Sequence, residues 1–186
     1  MLRANGMKFW IAMLAALILI AEPASAQSLF GGDEVFIAAR NGDSVAVEEY
    51  LLGGNNVNAR DTKKVPLLQH AAAADETKTL LILIKHGAQL DLTDKLGNTA
   101  LIQAAAYGAS RAIDILLESG AKIDLENRQG ETALIKAAQS GHLEAVEILL
   151  AKGANSEISD FTGRTALDHA DQNRHRGVAK ILKQGS

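Results

Sequence analysis

The sequence predicts an all-α solenoid, a stack of about five short helical repeats with different capping units at its two ends. The segment DKLGNTALIQAAAYGAS, which begins at Asp94, recurs in altered form at Asn127 and again at Asp160, 33 residues further on each time. A fixed period in the range of about 20–50 residues is typical of solenoids and other repeat arrays. The positions that keep this period are Gly97, Gly130 and Gly163; Thr99, Thr132 and Thr165; Leu101, Leu134 and Leu167; and Gly54, Gly87, Gly120 and Gly153.

Each unit reads as a turn, a short helix, a second helix and a loop. Residues 94–97 predict a turn. Asp94 can accept hydrogen bonds from nearby backbone N–H groups, and Gly97 suits a position with a positive φ. Thr99 is placed to cap the first helix, and Gly108 to end it. The second helix carries apolar residues at helical spacing and ends at Gly120. Neither helix is long enough to be stable alone, so we expect neighbouring units to bury their apolar faces together.

The predicted units span about 29–60, 61–93, 94–126, 127–159 and 160–186. The first unit lacks the turn pattern and opens with two acids, as a capping unit should. The last unit ends within its second helix. In the second unit Lys64 stands where the others have glycine, so that turn departs from the pattern.

The N-terminal segment predicts export. A basic start precedes an apolar run of 13 residues, Phe9–Ala21, and the small residues of Ala24–Ala26 follow. This layout is typical of a secretory signal, and the run is shorter than the roughly 20 residues of a membrane span. We therefore expect a signal peptide over 1–26, a repeat domain over 27–186, and a periplasmic or secreted protein. An uncleaved anchor is the alternative, and the sequence leaves open whether translation starts at Met1 or at Met7.

Composition restricts the function. The chain has no cysteine, which excludes disulfides and metal thiolates and suits an exported bacterial protein. Its formal net charge is −3, whereas a nucleic-acid-binding protein needs a concentrated positive surface. We therefore expect no nucleic-acid partner, and no membrane span after signal cleavage.

We expect no catalytic residue, no metal ligand and no cofactor. His70 and His169 occupy the same repeat position on first helices, and His142 and His175 share another at the start of second helices. Equivalent positions in stacked units lie about 10 Å apart, the spacing of packed helices. That is too far for shared metal ligation without extra carboxylates. The patterns of a nucleophile elbow, a phosphate loop, a zinc-protease helix and a calcium loop are missing from the sequence. The protein is not expected to be an enzyme.

Three segments resemble the ankyrin repeat pattern G-x-T-P-L-H-x-A-A and its L-L-x-x-G-A ending: GNTALIQAAAYG, GETALIKAAQSGHLEAVEILLAKGA and GRTALDHA. The resemblance covers residues of about 29–186 and, with the predicted signal, is to exported (periplasmic) bacterial ankyrin repeat proteins. It implies a slightly curved stack of β-turn, helix, helix and loop units. The family proline is replaced by Ala100, Ala133 and Ala166, and the family histidine by Ile102, Ile135 and Asp168. The threonine–histidine tie of the family is therefore expected to be missing.

The resemblance also implies a protein partner that meets the concave side, where the turn tips and the exposed part of each first helix lie. Leu96, Tyr107 and Phe161 stand out because they place apolar bulk at solvent-facing repeat positions, and aromatic anchors dominate interface energies. The alternative is that they are scattered exposed apolar residues, which are normal. The positions that match the family's binding side are Lys63, Val65, Lys95, Leu96, Asn98, Tyr107, Arg128, Gln129, Glu131, Gln139, Phe161 and Arg164.

Basic residues also gather around the turns, although the turn acids Asp61, Asp94 and Asp160 offset most of their charge. These charges have two interpretations: a basic stripe that faces an acidic partner, or a solvated surface of mixed charge.

Two functional classes fit these observations. The first is a non-catalytic protein-binding module of the periplasm, an accessory or an inhibitor or immunity-type partner of a periplasmic enzyme or toxin. The second is a structural or cell-envelope-binding protein. The sequence does not separate them.

Overall fold

The computed structural model describes residues 33–184, which form ten α-helices in five consecutive pairs. The predicted signal peptide, residues 1–26, lies outside the described residues. Within them no helix exceeds nine residues, and none is long and apolar enough to cross a membrane. The helices are α1 Glu34–Asn41, α2 Ser44–Leu52, α3 Leu67–Ala73, α4 Thr77–Lys85, α5 Ala100–Tyr107, α6 Ser110–Glu118, α7 Ala133–Ser140, α8 Leu143–Ala151, α9 Ala166–Gln172 and α10 Arg176–Gln184.

Helix α5 begins and ends where the sequence predicts. The Thr99 hydroxyl accepts a hydrogen bond from the Ile102 N–H at 3.2 Å, which satisfies one of the free donors at the start of α5. Gly108 ends the same helix in the left-handed conformation, and its N–H donates to the carbonyls of the last turn. Thr132 and Thr165 cap α7 and α9 in the same way.

The helices stack in two rows, with α1, α3, α5, α7 and α9 in one and the second helices in the other. Alanines fill the first row: Ala104, Ala105, Ala137 and Ala138 are fully buried, and such small side chains let the helix backbones approach closely. The second row buries larger residues such as Leu116 and Leu149. One continuous core therefore runs along the stack, and the predicted all-α solenoid of about five repeats is confirmed.

Hydrogen bonds between units repeat with the same period. The Arg128 N–H donates to the Leu96 carbonyl at 2.9 Å, and the Phe161 N–H donates to the Gln129 carbonyl at 2.9 Å, so successive turns are joined. The loops are joined by the N–H groups of Gln89, Lys122 and Asn155, which donate to the side chains of Asn58, Asp91 and Asp124 at 2.9, 3.1 and 3.1 Å. Neighbouring units are thus held together by hydrogen bonds from backbone N–H groups as well as by the burial of apolar side chains.

The structure shows how two departures from the family pattern are accommodated. Lys64 adopts a φ of +68°, the conformation of the glycines that it replaces, and the turn closes with the Lys64 N–H donating to the Asp61 carbonyl at 2.9 Å. In the last unit Asp168 takes the place of the missing histidine, because its carboxylate accepts from the Thr165 N–H at 2.9 Å and from its hydroxyl at 2.8 Å. In this unit the threonine therefore keeps a partner on the helix, which is Asp168 in place of the family histidine.

Candidate functional site

Two grooves open on the side of the stack formed by the turns and the first helices, which we call the turn face. The first groove has a volume of about 360 Å³ and lies between α1, α3 and α5, with Arg40, Lys63 and His70 in its lining. The second groove, of about 600 Å³, lies between α5 and α7, with Leu96 and Glu131 in its lining. Gln103 and Tyr107 line both grooves, so Tyr107 stands at their junction.

The grooves bring together seven of the twelve residues that the sequence predicts to bind a partner. Lys63 and Val65 line the first groove, Tyr107 lines both, and the second is lined by Leu96, Asn98, Gln129 and Glu131. The other five lie outside both grooves: Lys95, Arg128, Gln139, Phe161 and Arg164.

Leu96, Tyr107 and Phe161 are exposed as expected, at 55%, 66% and 73%. Phe161 nevertheless has a contact inside the chain. A Cβ placed on Gly130 would lie 2.6 Å from Cδ1 of the Phe161 ring, so the ring covers this glycine, whose φ is +77°. Part of the Phe161 side chain therefore serves the stacking of turns, while Leu96 and Tyr107 line the grooves.

Asn98 differs from the expectation that these positions face solvent, because only 8% of it is exposed. Its Nδ2 donates to Asp94 at 3.1 Å, and its Oδ1 accepts from Asn127 Nδ2 at 2.9 Å. Its carbonyl accepts from Gln69 Nε2 at 2.6 Å, which links the turn to the preceding unit. Asn98 thus joins three successive units, the next one through its side chain and the preceding one through its backbone carbonyl.

Three other predicted residues have partners within the chain. Lys136 Nζ donates to Gln139 Oε1 at 2.7 Å and lies 3.4 Å from the Glu131 carboxylate. The Arg164 guanidinium donates to Gln172 Oε1 at 2.8 Å. Binding of a partner through Glu131, Gln139 or Arg164 would have to compete with these contacts.

A polar pair recurs in the units, between the turn acid and the first-helix residue nine positions later. His70 lies 3.1 Å from Asp61, Gln103 lies 3.1 Å from Asp94, and the fourth unit uses the Lys136–Glu131 pair instead. Burial lowers the pKa of His70, and the Asp61 carboxylate opposes this shift. The recurring pair shows that His70 has a structural partner in its own unit.

His142 and His175 join neighbouring units. Their Nε2 atoms lie 3.1 Å from the carbonyl oxygens of Ala106 and Gln139, at the end of the preceding first helix. The His142 ring also lies directly over Gly108. Among residues 33–184 there is no group of three or more histidine, aspartate or glutamate side chains that could hold a metal ion.

Several of the groove residues that the sequence prediction missed are polar residues of the first helices. Arg40 belongs to the first capping unit, and His70, Gln103 and Lys136 project from first helices that are otherwise rich in alanine. His70, Gln103 and Lys136 are spaced by 33 residues and are all polar. This recurring polar position in the repeat could have identified them from the sequence.

A family model described as ankyrin repeats (3 copies) matches residues 35–127 and residues 119–186. These matches cover more than half of the chain and all five helix pairs. Ankyrin repeats are in general non-catalytic modules that bind other proteins, and they imply a protein partner here. The chain therefore belongs to the ankyrin repeat family and is a protein–protein interaction module.

Proposed function

We propose that this protein acts in the periplasm as a non-catalytic partner of another periplasmic protein, which it binds through the turn face. The partner is an enzyme that the protein assists, or an enzyme or toxin that it inhibits. The observation that carries the proposal is the position of Tyr107, which is 66% exposed at the junction of the two grooves.

Tyr107 is a suitable anchor for physical reasons. It is the last residue of α5, and the helix ends without its help because Gly108 supplies the cap. A tyrosine offers a large apolar surface and a hydroxyl while losing little conformational entropy, and this is why tyrosine is enriched among the residues that dominate binding energy. No packing requirement for a tyrosine at this position is evident, since its side chain is largely outside the core.

The location is supported by the N-terminal pattern of a basic start, an apolar run and the small residues of Ala24–Ala26. N-terminal sequencing of the protein from a periplasmic fraction should begin at Gln27. Recovery of the full-length chain from the cytoplasm, with none in the periplasm, would contradict export.

Affinity capture of the tagged mature protein from periplasm, followed by mass spectrometry, should supply the partner. Calorimetric titration of that partner should then show binding weakened by about 1–3 kcal/mol in Tyr107→Ala, the range of an aromatic anchor. Thermal stability should change little, because Tyr107 lies outside the core.

Glu147→Ala is the matched control, because Glu147 is exposed on α8 in the other helix row. It should leave the affinity unchanged. An equal loss in both variants, or no loss in Tyr107→Ala, would show that the partner binds elsewhere. Sedimentation of the protein with purified cell wall in the absence of any partner would favour the structural, envelope-binding alternative.

A further inference from the structure

The acidic side chains of the turns are directed into the chain. Asp61 accepts from the Val65 N–H at 2.8 Å and contacts His70. Asp94 is 9% exposed and accepts from two backbone N–H groups and from two side-chain amides. Asp160 is 6% exposed and is bonded in a similar way. Both oxygens of each of these three carboxylates are therefore engaged within the protein.

Several basic side chains of the same region point to solvent, whereas Arg164 lies 3.5 Å from Asp160 and Arg60 donates to two backbone carbonyls. Arg40, Lys63, Lys95 and Arg128 are exposed, and none forms an ion pair with another residue of the described chain. Within the turn face, these four cations are thus available to a partner, while Asp61, Asp94 and Asp160 are not. The structure favours a basic surface over the mixed, solvated face that the sequence left open.

The two grooves differ in whether their basic side chains are paired with an acidic one. In the second groove the charge of Lys136 is balanced by Glu131, 3.4 Å away. In the first groove Arg40 and Lys63 share the lining with one acid, Asp61, which His70 engages. Burial is the main cause of the lowered pKa of His70; the Asp61 carboxylate opposes this shift, and the charges of Arg40 and Lys63 add to it. The two cations therefore act on the same groove wall as Asp61.

We propose that the first groove binds an acidic segment of the protein partner, with carboxylates of that segment contacting Arg40 and Lys63 beside Tyr107. The inference rests on the proposed function, because it specifies the chemistry of the partner at the same face. Charge complementarity is the reason to choose an acidic segment, since an ionic contact at an unpaired cation does not first have to break an internal ion pair. The exposed tyrosine at the end of the groove supplies apolar contact to the same segment.

The test uses the mature chain and a short fluorescent peptide of alternating glutamate and serine, followed by fluorescence anisotropy. The Arg40→Glu/Lys63→Glu double variant should weaken binding by about fivefold or more, because two attractive contacts become repulsive. The Lys78→Glu/Lys85→Glu double variant is the control, since it makes the same change in net charge on α4, where both lysines are exposed. It should bind the peptide nearly as well as the wild type.

Arg40→Gln and Lys63→Gln, which remove charge without reversing it, should each cause a smaller loss and keep the thermal unfolding temperature of the wild type. Equal weakening in the two double variants would show a net-charge effect and overturn the proposal. Equal binding of a glutamine-for-glutamate peptide, or tighter binding of a single-stranded oligonucleotide of the same charge, would overturn it too.

The captured partner separates this proposal from the proposed function. If Tyr107→Ala weakens binding of the partner and the Arg40→Glu/Lys63→Glu variant does not, the turn face is the interface but the acidic-segment proposal fails. If neither change weakens binding, both proposals fail. Competition between the glutamate peptide and the partner is the expected result.

Discussion

His169 Nε2 lies 2.8 Å from Asp160 Oδ2, and the two residues are only 1% and 6% exposed. The same carboxylate accepts from the N–H groups of Thr162 and Arg164 at 2.8 and 3.1 Å, so it organises the last turn of the array. Burial alone would raise the pKa of Asp160. The hydrogen bonds from Thr162, Arg164 and His169 outweigh that effect and hold the pKa below its ordinary value of 3.8.

We expect Asp160→Asn to lower the free energy of unfolding by about 1–3 kcal/mol near neutral pH, the cost of disturbing buried hydrogen bonds to a charged group. Because the pKa is lower in the folded than in the unfolded state, the contribution is complete above the unfolded pKa. It is lost as the pH falls through the folded pKa. Urea unfolding from about pH 7 to about pH 2 should therefore show the two proteins converging in acid. A difference that stays constant over this range would contradict the role of the carboxylate charge.

Gly108→Ala should destabilise the protein by about 1–2 kcal/mol or more, since Gly108 has a φ of +68° and an added Cβ would lie 2.6 Å from His142 Nδ1. His142→Ala in the same chain should remove the collision but not the backbone strain. A double-mutant cycle by chemical denaturation should therefore give a favourable coupling between the two changes. Strict additivity would mean that the ring does not lie over the glycine in solution.

Leu149→Ala should cost about 2–5 kcal/mol of unfolding free energy, the range for truncating a buried leucine. The matched change is Leu182→Ala, at a residue that is also 1% exposed or less but belongs to the terminal unit. The central change should cost more, because α8 packs against a second helix on either side, whereas α10 is the last helix of the described stack and packs against α8. Equal or smaller loss at the centre would argue against nearest-neighbour coupling of stacked units.

Lys64→Gly should stabilise the protein by about 0.5–1 kcal/mol, since a lysine at a φ of +68° carries strain that glycine avoids, although glycine also loses more entropy on folding. Lys63→Gly is the control on the same turn, where φ is not positive, and it should be neutral or destabilising. The thermal unfolding temperatures of both variants, compared with that of the wild type, test this prediction. Destabilisation by Lys64→Gly would show that the lysine side chain contributes more than its backbone conformation costs.

The repeat period, the helix caps and the stacked architecture follow from the sequence because they depend on local properties. Thr99 and Gly108 act within a few residues of themselves, and the next unit repeats the same arrangement with Thr132 and Gly141. In a solenoid the units contact only their neighbours, so a correct unit and a correct period define the whole stack. The exposure of Leu96 and Tyr107 followed in the same way from their repeat positions.

The roles of individual polar side chains depended on the tertiary structure. Asn98 has the repeat position of a surface residue, yet it is buried because its partner Asn127 lies in the next unit, 29 residues away. The turn acids are directed inward and Arg40 joins Lys63 in one groove for the same reason. Such contacts form between side chains that are remote in sequence, and their geometry depends on how closely one unit packs on the next, which local sequence patterns do not specify.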